Sequence, residues 1–127
     1  MKKYCILLLL LCISTLSFAD TYKYKYLYIQ KEGDKFAYLT NCQENYVNVS
    51  ENSLGGTLMI FFIDTQILKV LLTHEIEYAD DHTTWSGVLE DGTTATICIS
   101  GGSIIIGYSK YVLIISNIYL GKYFKIQ

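Results

Sequence analysis

Past residue 19, the side chains of this chain that could do chemistry are two histidines, two cysteines and four tyrosines spaced two apart. His74-Glu75-Ile76-Glu77-Tyr78 begins like the zinc-protease motif H-E-x-x-H. There, two imidazoles one helical turn apart face one metal and the glutamate serves as general base. Tyr78 stands where the second imidazole has to be, and the surrounding alternation is that of a strand, so His74 reads as a strand-face histidine. His82 follows Asp80 and Asp81 in a turn signal, but three neighbours in sequence rarely all reach one ion. No serine sits in a G-x-S-x-G setting, and Glu90-Asp91 reads as a solvated turn former. The expectation is a non-enzymatic chain with no catalytic residue, no metal site and no cofactor.

Tyr22, Tyr24, Tyr26 and Tyr28 alternate with Lys23, Lys25, Leu27 and Ile29. In an extended strand this spacing puts all four rings on one face. Tyrosine offers broad apolar area with a polar tip, so the face is a candidate platform for sugar rings or a partner strand. Tyrosine is also a good strand residue, and half-buried packing is the plainer expectation. At a sheet edge, Lys23 and Lys25 would guard against unwanted pairing.

Those residues must be held by elements whose setting the N-terminus indicates. Met1-Lys2-Lys3 is a basic start, and Ile6 to Ile13 is an apolar run too short to span a bilayer. Ser17-Phe18-Ala19 places small residues for cleavage after Ala19, so residues 1–19 read as a signal peptide and 20–127 as a single β-rich domain. Leu11 before Cys12 argues against a lipid anchor. The mature chain is expected to be secreted or periplasmic, with no membrane span.

Removing the leader leaves 108 of 127 residues, long enough for a hydrophobic core. They carry 8 lysines, no arginine and 12 acidic residues, a charge of about −4. A nucleic-acid binder would show a basic excess and bidentate arginines, so no nucleic-acid partner is expected. Cys42 and Cys98 remain, and in an oxidising compartment a lone pair is expected as a disulfide. The 57-residue loop it would close corresponds to roughly 4 kcal/mol in the chain-entropy account.

Nearly every segment reads at period two. Extended runs are expected near 22–29, 36–40, 46–49, 57–63, 68–78, 84–90, 93–100, 103–108, 111–115 and 119–126. The segment 66–78 is the one that competes with a helix. Glu32-Gly33-Asp34, Asp91-Gly92 and Gly101-Gly102 mark turns. Short strands at this spacing indicate an all-β, antiparallel sandwich or barrel-like domain.

From Leu58 to Ile126 the order of motifs is distinctive. Phe62-Ile63-Asp64 is followed by Glu75-Ile76-Glu77, then by Thr84-Trp85-Ser86-Gly87-Val88-Leu89. Thr96-Ile97-Cys98-Ile99, Gly101 to Tyr108 and a closing Tyr123-Phe124-Lys125-Ile126 complete the series. This arrangement resembles the propeptide region that precedes the catalytic domain of some secreted bacterial zinc metalloproteases, with Trp85, Gly87 and Gly107 as its firmest points. A protease domain is not part of the match, and residues 20–56 lie outside it. The resemblance implies a β domain that packs against an enzyme, as inhibitor or folding helper. The partner this implies is a secreted metalloprotease or other exported protein, with an edge strand within 21–30 as the candidate contact. The tyrosine face separately offers a surface glycan, and a purely structural envelope protein is the remaining alternative.

Overall fold

The computed structural model describes residues 19–51 and 56–126, so the leader expected at 1–19 lies, except for Ala19, outside the described residues. Its elements are β1 (Ala19–Lys23), β2 (Tyr26–Lys31), β3 (Ala37–Thr40), β4 (Asn45–Glu51), β5 (Thr57–Ile63) and β6 (Gln66–Tyr78). β7 (His82–Leu89), β8 (Thr94–Ser100), β9 (Ser103–Tyr108), β10 (Tyr111–Ser116) and β11 (Tyr123–Phe124) follow. All pairings are antiparallel, in one curled sheet of order β1-β4-β5-β6-β7-β8-β9-β10-β2-β3-β11. The all-β, barrel-like class expected from the alternation is the fold observed. Gln66–Tyr78 is a strand, not a helix.

The curl follows from two registers. Only Tyr24 and Lys25 separate β1 from β2, yet β1 pairs with β4 while β2 pairs with β10. The meander therefore starts beside β1 at β4 and ends beside β2 at β10, which curls the sheet toward a barrel. Lys23 stands opposite Tyr46 and Leu27 opposite Thr40, so residues 24–26 face the longer stretch 41–45. This offset is a bulge between the two halves of one long hairpin. Tyr24 N–H donates to the Asn45 carbonyl at 2.9 Å, and Asn45 Nδ2 donates to the Tyr26 carbonyl at 3.0 Å, stitching the gap.

One cluster fills the concave side: Leu27, Val47, Met59, Phe61, Val70, Leu89, Ala95, Ile97, Ile104, Ile106, Leu113 and Ile115. An eight-stranded barrel has an interior about wide enough for such side chains to occupy. Gly87 belongs here for a steric reason, since a β-carbon on it would lie 2.6 Å from Val70 Cγ1 and 3.1 Å from the Leu71 carbonyl oxygen. Gly107 has no such neighbour within 4 Å, so packing does not explain it. Trp85 stands opposite Ile97 and Glu75 and is half-buried, beside the irregular part of β6 rather than in the central cluster.

A second, smaller cluster lies on the opposite face of the sheet. Tyr28, Ala37 and Ile114 are buried there beneath Leu120, Phe124 and Ile126 of the C-terminal segment. The fully buried Tyr28 ring donates its hydroxyl to the Gly121 carbonyl at 2.7 Å and accepts from Leu120 N–H at 2.9 Å. This clip fixes the C-terminal strap, and β11 then pairs with β3.

The expected Cys42–Cys98 bridge is not formed, and both residues are free thiols. Cys42 lies at the 41–45 offset, packed against the interior cluster. Cys98 alternates with Ile97, which faces that interior, so its side chain is on the outer wall of β8. A disulfide needs two Cβ vectors that converge, whereas Cys42 packs with the interior and Cys98 alternates away from it.

Candidate functional site

The offset between β1 and β2 changes the tyrosine ladder. Tyr24 packs on the interior cluster, whereas Tyr26 and Tyr28 belong to the cluster under the C-terminal strap. Tyr22, 49 % exposed, stands opposite Val47 and shares the concave side with Tyr24. The four residues therefore do not form one binding face, because the bulge shifts the side-chain phase between Tyr24 and Tyr26. The edge expected within 21–30 shrinks likewise. Tyr26–Lys31 is enclosed between β10 and β3, which leaves only β1 paired on one side among the described residues.

Aromatic side chains gather elsewhere. One end of the barrel carries the β2–β3, β5–β6, β7–β8 and β9–β10 turns, and there Ile29 and Tyr108 still pack against the interior cluster. Leu113 stands opposite Ile29, Ile29 opposite Tyr38, and Tyr38 opposite Tyr123, so these four share the concave face. One row further out, Tyr108 stands opposite Tyr111, and Tyr111 opposite Lys31. The rings touch: Phe36 and Tyr123 have centroids 4.9 Å apart and tilted, and Tyr108 and Tyr111 lie at 6.0 Å. Tyr38, Tyr111 and Tyr123 are 48 %, 42 % and 58 % exposed. From β9 to β11 are four strand spacings, roughly 19 Å along the sheet.

The result is a face of five aromatic residues, with Tyr108 packed at the edge of the interior and Lys31 in register beside Tyr111. Burial, and then the neighbouring Tyr111 hydroxyl, push the Tyr108 phenol above its ordinary 10.0, so it remains a neutral donor. A cleft of about 390 Å³ adjoins Tyr108 and Tyr111, closed on its far side by Leu68, Lys69, Leu89 and Glu90. Lys69 Nζ approaches Glu90 Oε1 at 3.8 Å across that wall. Sequence alternation could have found Tyr108 with Tyr111, whereas the addition of Tyr38 and Tyr123 depends on pairings distant in the chain.

The histidines fall at other places. His74 is exposed on β6, its Nδ1 3.2 Å from Thr73 Oγ1. His82 opens β7 with Nδ1 at 2.7 Å from Asp81 Oδ1 and Nε2 at 2.8 Å from Glu77 Oε1. Only the imidazolium can donate to both carboxylates. The bond to Asp81, and then that to Glu77, raises the His82 pKa above its ordinary 6.5, and the same bond lowers that of Asp81. Asp80, paired with His82 in the sequence reading, gives way to Glu77. Among the described residues no group of three or more His, Cys, Asp or Glu side chains converges as metal ligands.

A second cleft, beside the offset, is lined by Asn41, Cys42, Gln43, Glu44, Asp64 and Thr65. Asp64 turns the chain at φ 52° and accepts with Oδ1 from the Gln43 and Glu44 N–H groups at 2.6 and 2.9 Å. Its carboxylate thus holds the bulge in place. Burial, followed by the Asp64 charge, raises the Cys42 thiol above its ordinary 9.0, the reverse of what a nucleophile needs.

No family model matches this chain, and no curated protein or solved structure matches it significantly.

Proposed function

We propose that the chain is an exported, non-enzymatic binding module that holds a surface glycan on the aromatic face of β9-β10-β2-β3-β11. The observation that carries this reading is the register Leu113–Ile29–Tyr38–Tyr123, which lines up exposed tyrosines on a face otherwise committed to the core. The apolar C–H face of a pyranose stacks on such rings, and the phenol hydroxyls supply hydrogen bonds at the rim. Tyr38 and Tyr123 stand exposed side by side along this face, which suits a chain of rings better than the single buried anchor that dominates a tight protein interface. Export rests on the leader read at residues 1–19.

The test is co-sedimentation of residues 20–127 with insoluble envelope polysaccharide. Retention of the native protein and loss of retention in a folded Tyr38→Ala/Tyr123→Ala variant is the expected result. Equal retention of both would remove the aromatic face from the account.

A second reading is a protein partner, as the propeptide resemblance implies. It is favoured by the outer half of β6: beyond Leu72, the last residue paired with β5, Thr73–Tyr78 has no strand on its free side among the described residues. Ile76 and Tyr78 are 55 % and 75 % exposed there, available to an added strand. Stoichiometric loss of activity when an exported zinc metalloprotease is mixed with the protein is the result this reading expects.

A further inference from the structure

Charge is distributed unevenly over this barrel, and the distribution specifies the ligand. The strands and turns that build the aromatic face, residues 30–36, 109–111 and 121–126, contain Lys31, Lys35, Lys110, Lys122 and Lys125 against Glu32 and Asp34. Lys110 Nζ lies 3.9 Å from Glu32 Oε2. Lys31, Lys35, Lys122 and Lys125 have no ion pair among the described residues. Lys31 is the informative one, because its register partner is Tyr111 and it follows Ile29, the residue opposite Tyr38. Lys31 therefore shares the face of the rings, while Asp34 Oδ2 accepts from its backbone N–H at 3.3 Å.

The opposite end of the barrel has the reverse character. Residues 73–82 of the β6–β7 hairpin hold Glu75, Glu77, Asp80 and Asp81 and no lysine. The chain is acidic as a whole, so a cationic face is a local feature set against the net charge. Glu90 and Asp91 stand across the cleft from Tyr108, but Glu90 faces Lys69, and Asp91 Oδ1 accepts from Thr93 N–H at 2.9 Å. The cationic portion is thus the Lys31–Phe36–Tyr38–Tyr123 side. A cationic field there draws anions and repels cationic ligands toward the hairpin end.

We infer that the ligand is an acidic polysaccharide, its uronate carboxylate paired with Lys31 while successive sugar rings lie on Tyr111, Tyr38 and Tyr123. This deepens the glycan reading above and rests on it. Tyrosine faces alone would not discriminate between neutral and acidic chains, and the lysine set among them provides that discrimination. The lysine pair acts as a point charge, so binding weakens as salt rises.

The experiment is calorimetric titration of residues 20–127 with polygalacturonate oligomers, with their methyl-esterified, uncharged counterparts and with an acidic poly-glutamate peptide. Polygalacturonate is expected to bind at least tenfold more tightly than the ester. Lys31→Gln should remove most of that preference, and Tyr38→Phe should keep binding where Tyr38→Ala loses it. Equal affinity for acid and ester, both lost in Tyr38→Ala, would overturn the acidic specificity and leave the glycan reading intact. Binding of poly-glutamate alone, or of no glycan at all, would overturn both. Circular dichroism of each variant confirms that the strands persist, and Tyr38→Phe guards against loss of fold as the cause.

Discussion

His82 is held by two carboxylates that lie outside the barrel wall, so its protonation bears on one hairpin and not on the core. Its folded pKa is raised, so its contribution is complete below 6.5 and fades as the pH climbs through the folded value. Asp81 is lowered, so its share is present above 3.8 and is lost as the pH falls through its folded value. The hairpin tip is therefore held best between those limits, in mildly acidic solution. An NMR titration of the imidazole should give a midpoint above 6.5, and Asp81→Asn should lower it more than Glu77→Gln does. A midpoint at or below 6.5 in the native protein would contradict the bridged geometry. Gly87 gives a second test at this scale. Gly87→Ala drives a β-carbon against Val70 and the Leu71 carbonyl, and thermal unfolding should show a loss of about 1–3 kcal/mol. The same change at Gly107, where nothing lies within 4 Å, should be much milder. In the sequence the two glycines look alike, since only the packed strands distinguish them.

At the level of the elements, the strands were legible because period-two alternation is a local property. The phase of the tyrosine ladder was not. It turns on residues 24–26 meeting the longer stretch 41–45, a mismatch between segments far apart in the chain. The same offset puts Cys42 against the interior while alternation puts Cys98 outside, which defeats a pairing argued from compartment alone. Alkylation of the native, then unfolded, protein followed by mass measurement should add two carbamidomethyl groups across Cys42 and Cys98 without prior reduction. A mass two hydrogens lighter with no alkylation would restore the bridge. The C-terminal strap has its own lever in Tyr28. Tyr28→Phe leaves Leu120 N–H and the Gly121 carbonyl without their partner, at a cost of about 1–3 kcal/mol. Amide exchange at Leu120 should then quicken while exchange in β6, which has no residue in the strap cluster, is unchanged.

For the whole molecule, alternation left sandwich and barrel equally open. What decides is that β10 pairs with β2 while β1, two residues away, pairs with β4, and no single segment announces such closure. The curl packs Phe61, Met59, Ile97 and their neighbours inside the sheet, which leaves recognition to the outer surfaces and the turn-bearing end. There Lys31 shares the face of Phe36, Tyr38, Tyr108, Tyr111 and Tyr123, opposite in charge to the β6–β7 hairpin at the far end. The most direct measurement is an amide chemical-shift map of residues 20–127 titrated with polygalacturonate oligomers. The account predicts that the shifts gather at residues 29–38, 108–113 and 122–125, and that Thr73–Tyr78 stays still. Shifts confined to Thr73–Tyr78, or no shifts at all at saturating oligomer, would contradict it.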